Sequence, residues 1–148
     1  MVVTDGLTGL YRLGFAHEHL DALIKDVAGA AHPLAVGVIR VLDVDAINKA
    51  KGHAMGDRVL RQAGAMIGRL VRAEDVAARI GGATFGIILP DTREPAASAV
   101  CRRIAGVVGN TDFGLGEMNP LRLAIGCTEA DPTDSSTTLF ARAAASPI

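Results

Sequence analysis

The chain has 148 residues, of which 49% are hydrophobic and 21% charged, which is enough apolar material for one globular domain. Its formal net charge of −1 excludes a general basic field for nucleic acid, and 3% aromatic residues argue against a stacking platform for single strands. No apolar run is long enough to span a bilayer and no leader-like segment opens the chain, so we expect no nucleic-acid binding, no membrane insertion and a cytoplasmic location. Cys101 and Cys127 fit no metal-binding spacing and are expected to be packed, reduced thiols.

In chain order, helical and extended patterns alternate. Apolar residues at helical spacing predict helices over 8–27, 55–72, 94–108 and 137–145, with a short helical turn over 43–51. Apolar runs rich in β-branched residues predict strands over 34–42, 76–80, 85–90 and 121–128. A break is expected over 29–33 and a glycine-bearing loop over 110–119. This order favours an α/β sandwich with a central sheet flanked by helices.

The most informative segment is the glycine pair 81–82, which separates two predicted strands and is typical of a β-hairpin. Glycine is expected to supply a positive φ there and to let a ligand approach the backbone. Acids after the glycines would hold a metal ion, but the next residues are Ala83 and Thr84, and neither carries negative charge. Arg79 is expected to pair with Asp75 or to support the hairpin. Just upstream, Arg72 and Asp75 retain a guanidinium and a carboxylate three residues apart, so the pattern indicates binding without turnover.

Five short segments, in order and at consistent spacing, resemble motifs of the GGDEF family, the fold of diguanylate cyclases. They are DGLTGL (5–10), IN followed by GHAMGD (47–57), RAED (72–75), RIGGATF (79–85) and IGCT (125–128). The resemblance covers nearly the whole chain. It implies a nucleotidyl-cyclase-like sandwich whose central mixed sheet is flanked by helices, with the signature turn on a β-hairpin. It also implies one domain over 1–148, with its last helix apparently truncated, from a larger multidomain signalling protein.

The resemblance also identifies departures at the metal site. In active members, acids at the end of the first strand and in the signature turn hold Mg²⁺. An ungapped alignment puts Arg40 at the strand position, which we prefer to a gapped alternative that would use Asp43. The turn acids become Ala83 and Thr84 under either choice. Because phosphoryl transfer depends on metal ions and positioning, we expect no bound metal, no cofactor, no catalytic residue and no cyclase activity.

The RAED segment resembles the family's inhibitory site for cyclic di-GMP, with Arg72 and Asp75 as the arginine and the acid. A guanidinium fork fits a phosphate or the O6/N7 edge of guanine, and a carboxylate accepts from guanine N1 and N2. The family often adds an arginine from the following helix, for which the ungapped position is Arg103. The structural alternative for Arg72 and Asp75 is a surface ion pair that contributes little to the stability of the fold. The surrounding motifs favour the ligand site.

Two further residues match the family's guanine pocket. The presence of Asn48 and Asp57 leaves binding of GTP or GDP as an alternative. Side chains of these types also cap helices, which is the structural interpretation. We therefore expect an inactive GGDEF domain that receives cyclic di-GMP and passes the signal to a partner protein or a second copy. One alternative is an interaction module that needs no ligand. Another is a residual GTP-binding sensor, which requires Asp43 or Asp45 to recruit a metal ion.

Overall fold

The computed structural model describes residues 3–30 and 32–148. Within these residues there are five strands: β1 Tyr11–Arg12, β2 Leu34–Val41, β3 Val76–Arg79, β4 Thr84–Pro90 and β5 Leu123–Glu129. Five α-helices accompany them: α1 Leu13–Ala30, α2 Val44–Lys51, α3 His53–Leu70, α4 Glu94–Gly109 and α5 Ser136–Ala144. In this part of the chain, none of the helices has the length and hydropathy needed to cross a membrane.

The strands form a single mixed sheet in the order β1-β3-β4-β2-β5. β1 pairs with β3 in parallel, and every other pairing is antiparallel. β2 lies between β4 and β5, so both of its edges are hydrogen-bonded, and seven of its eight residues are buried. That position explains its nearly continuous apolar sequence. The predicted α/β sandwich with a central mixed sheet is confirmed.

The two faces of the sheet carry two separate hydrophobic clusters. Side chains of β2 alternate between them, since successive residues of a strand point to opposite faces. Ile39 packs in the cluster that includes α3 and α4, whereas Val36 and Val38 pack in the cluster that includes α1 and α5. The domain is therefore a three-layer sandwich, with helices covering both faces of the sheet.

The start of α1 differs from the sequence prediction. The helical pattern from Thr8 suggested a helix there, but the helix begins at Leu13. The Asp5 carboxylate accepts hydrogen bonds from the backbone N–H and the hydroxyl of Thr8, both at 2.9 Å. These bonds stabilise a turn, so that the next residues enter β1 before the helix starts. The helix continues to Ala30, while residue 31 of the predicted break lies outside the described residues.

The β3–β4 connection forms the predicted hairpin, but neither Gly81 nor Gly82 has a positive φ. The prediction of left-handed glycines was therefore wrong. The backbone N–H groups of Ile80 and Gly81 both donate to the Thr84 carbonyl, at 2.9 and 3.2 Å, which closes the turn without a left-handed residue. Arg79 supports the hairpin by donating to the Gly82 carbonyl at 2.7 and 3.1 Å.

Candidate functional site

A cleft of about 550 Å³ opens at the end of the sheet where β2 leads into α2. The hairpin, the end of β2 and helices α2 and α3 supply its walls. Among the lining residues are Arg40 from β2, Asn48 from α2, Asp57 from α3, and Gly82 and Ala83 from the hairpin. The fold therefore brings together residues that the sequence analysis had selected from three separate parts of the chain, namely the end of the first long strand, the 47–57 segment and the signature turn.

Arg40 occupies the position at the sheet end where the resemblance expected an acid. Its register partners are Thr84 on β4 and Ala124 on β5. The backbone N–H of Val41 donates to the Ala83 carbonyl at 2.9 Å, so Arg40 and Thr84 form the adjacent pair without hydrogen bonds, whose side chains stand close together. Over the described residues, no group of three or more histidine, cysteine, aspartate or glutamate side chains is placed to hold a metal ion.

Asp43, the alternative metal acid, is bound to an arginine on β5's N-terminal side. Arg122 donates to its carboxylate from Nη2 at 2.7 Å, from Nε at 3.1 and 3.3 Å and from the backbone N–H at 3.1 Å. The hydrogen bonds from Arg122 lower the pKa of the Asp43 carboxyl. This carboxylate therefore ties the start of α2 to the residue that precedes β5. Asp45, two positions further along and in the first turn of α2, lines the cleft.

Asn48 and Asp57 line the cleft from neighbouring helices, and neither caps a helix. Gly52 connects the two helices and has no side chain to cap α3, in which Asp57 is the fifth residue. The Oδ1 atom of Asn48 is buried without a hydrogen-bond partner among the described residues. It lies against Gly56, where a Cβ atom would overlap it. The Asp57 side chain is exposed and makes no hydrogen bond within the described residues, whereas Asn48 Oδ1 is enclosed against Gly56 and offers no open surface to a ligand.

The second candidate site lies at the other end of β3, where Arg72 and Asp75 form an ion pair. Arg72 donates from Nη2 to Oδ1 at 2.8 Å and from Nε to Oδ2 at 3.0 Å, and its backbone N–H donates to Oδ2 at 2.9 Å. The Asp75 side chain is 0% exposed, whereas the Arg72 side chain is 42% exposed. Hydrogen bonding to Asp75 raises the pKa of the Arg72 guanidinium further. The buried acid thus fixes a half-exposed cation.

Arg72 also bridges to the loop after β4. Its Nη2 donates to the Thr92 hydroxyl at 2.8 Å and to the Pro90 carbonyl at 3.4 Å. Thr92 itself is buried and donates to the Pro90 carbonyl at 2.8 Å. The sequence analysis missed this contact, since no signal in the chain links a threonine 20 positions away to the arginine. The ion pair therefore holds two loops together as well as presenting a cation.

Arg103 lies close to the same end of the sheet. It is exposed on α4, and its Nη2 donates to the carbonyl of Leu70, the last residue of α3, at 3.3 Å. Leu70 precedes Arg72 by two positions, so the two arginines of the predicted cyclic di-GMP site occupy one region of the surface. A guanidinium there also suits the negative end of the α3 dipole.

A sequence model of the family described as "Diguanylate cyclase, GGDEF domain" matches residues 2–145. The chain belongs to the GGDEF family. The response regulator PleD of Caulobacter vibrioides is 33% identical over 147 residues, which cover 97% of this chain and 32% of PleD. The probable diguanylate cyclase DgcE of Escherichia coli is 32% identical over 109 residues, which cover 74% of this chain and 10% of DgcE. The chain thus spans about a third or less of the length of these relatives.

Solved GGDEF structures share the fold. The GGDEF domain of DgcB from Caulobacter crescentus in complex with c-di-GMP superimposes with a TM-score of 0.87 at 25% identity, covering 98% of this chain and 87% of that one. The diguanylate cyclase SiaD from Pseudomonas aeruginosa, in complex with its activator SiaC, gives a TM-score of 0.88 at 25% identity and covers 97% and 56% of the two chains. The layered sheet and its hairpin are therefore the GGDEF arrangement.

Proposed function

We propose that this chain is a catalytically inactive GGDEF domain that acts as a receptor for cyclic di-GMP through Arg72, Asp75 and Arg103. The observation that carries the proposal is a half-exposed guanidinium, fixed by a fully buried carboxylate, beside a second exposed arginine. This arrangement presents two cations on one surface, and the ligand contains two phosphates and two guanine bases.

The proposed loss of cyclase activity rests on the residues at the end of β2 and in the neighbouring β3–β4 hairpin. Mg²⁺ requires oxygen ligands in a near-octahedral arrangement. Arg40, Ala83 and Thr84 stand where the resemblance places the metal acids, and Arg40 repels a cation by its own charge. Asp43 is bound by Arg122. Since phosphoryl transfer gains nearly all of its rate from metal ions and positioning, a GGDEF domain with this sheet end does not condense GTP.

Ligand binding is assigned to the arginines, with Asp75 as the residue that orients Arg72. Both carboxylate oxygens of Asp75 already accept hydrogen bonds, so the acid contacts guanine directly only if Arg72 moves away. The Nη1 atom of Arg72 makes no hydrogen bond within residues 3–30 and 32–148. Its N–H groups, with those of Arg103, are the donors proposed to bind a phosphate or the O6/N7 edge of guanine.

The relatives are longer than this chain, and their remaining length can hold other domains. The way in which ligand binding is passed on to another domain or protein is therefore also part of the proposal. Cyclic di-GMP shifts the domain only if it binds one state better than another. We propose that this state differs in how the domain contacts a partner protein or a second copy, because both arginines lie on surface elements. A ligand-independent interaction module would show the same fold but no response to the dinucleotide.

Isothermal titration calorimetry tests the receptor function. Wild type is expected to bind cyclic di-GMP, and Arg103→Ala and Arg72→Ala are each expected to weaken binding at least tenfold, or about 1.4 kcal/mol. Arg12→Ala is the matched control, because Arg12 is exposed at the opposite end of β3 and loses the same charge. Thermal unfolding of each variant separates lost binding from lost folding. A wild type that does not bind the dinucleotide overturns the proposal.

The same protein preparation tests the proposed absence of cyclase activity. Pyrophosphate release from GTP and Mg²⁺ is expected to stay at the level of a blank without protein, because no carboxylate pair holds the metal at the sheet end. Steady formation of product that scales with protein concentration would show a working cyclase and refute this half of the proposal.

A further inference from the structure

The two cysteines of the chain lie in the same hydrophobic cluster of the core. Cys101 is on α4 and Cys127 is on β5, and both are free thiols. Both are buried, in the cluster on the face of the sheet that α3 and α4 cover. The sequence contains only these two cysteines, so the cluster holds one pair of thiols and the chain offers no other.

Gly37 on β2 brings the sulfur of Cys101 down to the sheet. A Cβ atom added at Gly37 would overlap Cys101 Sγ, so the sulfur fills the space of the missing side chain. Gly37 is the register partner of Cys127. The Cys127 N–H donates away from β2, to the Ser146 carbonyl at 3.1 Å, so Gly37 and Cys127 form a pair without hydrogen bonds, whose Cβ positions lie about 4.5–5.5 Å apart. Cys101 Sγ therefore lies beside the Cys127 side chain.

The two thiols differ in reactivity. The Cys101 thiol donates a hydrogen bond to Cys127, and this bond, together with burial, raises the pKa of Cys101. Accepting the bond lowers the pKa of the Cys127 thiol against the opposing effect of burial, and the hydroxyl of Ser98 acts in the same direction. Ser98 is itself buried, one turn before Cys101 on α4. Cys127 is therefore the better nucleophile, because the thiolate is the reactive form of cysteine.

The packing of α4 on β2 also favours a bond between the sulfurs. A disulfide requires Cα atoms about 4.4–6.8 Å apart. Because Gly37 has no side chain, α4 approaches the sheet more closely there than any larger residue would allow. Closing the segment between Cys101 and Cys127 would also remove conformational freedom from the unfolded chain.

We propose that Cys101 and Cys127 are a site of reversible oxidation, at which a peroxide converts the two thiols into a disulfide between α4 and β5. The Cys127 thiolate attacks one oxygen of hydrogen peroxide and the O–O bond breaks, which leaves a sulfenic acid on Cys127 and a hydroxide that takes up the thiol proton. The Cys101 sulfur then attacks the Cys127 sulfur, the S–O bond breaks, and the Cys101 proton leaves with the hydroxyl group as water. Two thiols lose two electrons, and one peroxide is reduced to two waters. Thiol–disulfide exchange with dithiothreitol reverses the reaction.

Intact-mass measurement tests the inference on the native chain. The protein is treated with hydrogen peroxide under conditions that oxidise most of a sample of free glutathione, and is then unfolded in guanidinium chloride with N-ethylmaleimide. Untreated protein is expected to carry two labels. Treated protein is expected to carry none and to have lost two hydrogen atoms, and dithiothreitol is expected to restore both labels. A treated protein that keeps both thiols, or that loses them only in linked dimers, overturns the inference.

Single variants test the order of attack. Cys101→Ala is expected to stop at the sulfenic acid on Cys127, which dimedone labels. Cys127→Ala retains the less acidic thiol and is expected to be labelled at least tenfold more slowly. Equal labelling of the two variants would contradict Cys127 as the attacking residue. The inference does not rest on the proposed cyclic di-GMP receptor function, because every readout is the state of the two core thiols.

Urea unfolding tests whether the sulfurs are already placed for the bond. Oxidised wild type is expected to unfold at a midpoint about 1 M higher than reduced wild type, because the disulfide restricts the unfolded chain. Cys101→Ala is the control and is expected to have the same midpoint with and without peroxide treatment. An oxidised wild type that unfolds at a lower urea concentration than the reduced form would show that the bond strains α4 against β5, and would overturn the inference.

Discussion

At the scale of single residues, Arg72 combines a structural contact with an exposed donor group. Its Nη2 joins Asp75 to Thr92, and these bonds link the loop before β3 to the loop after β4. An exposed ion pair contributes little to stability, but the Asp75 side chain is fully buried. Removing Arg72, the cation bound to it, therefore leaves a buried charge without its partner. Arg103, whose bond to the Leu70 carbonyl is long and exposed, is therefore the cleaner probe of ligand binding.

The metal site at the sheet end is expected to return when its acids are restored. The triple variant Arg40→Asp, Ala83→Asp and Thr84→Glu places carboxylates on β2 and on the hairpin, at positions that the register brings side by side. We expect it to bind Mg²⁺ or Mn²⁺ in calorimetry, whereas wild type and Arg40→Ala show no heat of binding. A triple variant that folds and binds no cation would mean that these positions do not form a metal site in this domain.

At the scale of secondary structure, the strands and helices that bury long apolar runs were predictable. β2 and α3 lie within about two residues of their predicted ranges, because hydrophobic periodicity directly reports burial. The start of α1 was not predictable from periodicity, because hydrogen bonds that the Asp5 carboxylate accepts from Thr8 decided it. Local hydrogen bonds likewise decided the conformation of the hairpin glycines. Arg79 donates to the Gly82 carbonyl, and the Gly81 N–H donates to the Thr84 carbonyl.

The ion pair between α5 and the loop that precedes it is expected to weaken in acid. Arg142 donates to both oxygens of Asp134, at 2.7 and 2.8 Å, and these bonds lower the pKa of Asp134 to about 2. A lowered folded-state pKa contributes stability above the unfolded value of 3.8, and this stability is lost as the pH falls from about 4 to about 2. Asp134→Asn is expected to cost on the order of 1–2 kcal/mol at pH 7.

Urea unfolding at pH 7 and at pH 2.5 measures this effect. The difference between wild type and Asp134→Asn is expected to shrink at the lower pH, because the carboxyl protonates in the unfolded state below pH 3.8 and most of its contribution to the free energy of unfolding is then lost. Glu18→Gln removes an exposed acid of α1 and is the matched control, with little change at either pH. An equal cost at both pH values would contradict the assignment to the Asp134 carboxylate.

The packing of α5 on β5 depends on a glycine. A Cβ atom at Gly126 would overlap the backbone carbonyl of Ala143, which cannot rotate away as a side chain does. Gly126→Ala is therefore expected to destabilise the domain by about 1–3 kcal/mol. Gly106→Ala is the control, because this α4 glycine has open space around it and alanine is expected to stabilise the helix by about 0.5–1 kcal/mol. The midpoints of denaturant unfolding of both variants, compared with wild type, test this prediction. If Gly126→Ala has the same midpoint as wild type, α5 shifts without cost to make room for the methyl group.

At the scale of the molecule, the cleft and the Arg72 site lie at opposite ends of the β3–β4 pair. The hairpin at the cleft closes one end, and Arg72 bonds to the Pro90 carbonyl and Thr92 at the other. β4 has seven residues, so the ends are separated by roughly 20 Å. Variants of residues that line the cleft are therefore expected to leave the binding of cyclic di-GMP to Arg72 and Arg103 undisturbed, which calorimetry measures.

The overall fold was predictable because several motifs agree in order and spacing, each reporting one part of the same sheet. For the same reason, the sequence could predict which residues lie together. Arg72, Asp75 and Arg103 lie in one region, whereas Asn48 and Asp57 lie in another. The bonding within the sites was not predictable, because it depends on contacts between distant parts of the chain. Arg122 lies 79 positions from Asp43, and no local pattern shows that the two are paired.

A crystal structure of the chain with cyclic di-GMP tests the receptor function most directly. Electron density for the dinucleotide is expected at the end of α3, with the guanidinium groups of Arg72 and Arg103 within hydrogen-bond distance of its phosphates or guanine O6 and N7. A saturating soak that leaves this surface empty, or that places the dinucleotide elsewhere on the domain, would contradict the proposed receptor site.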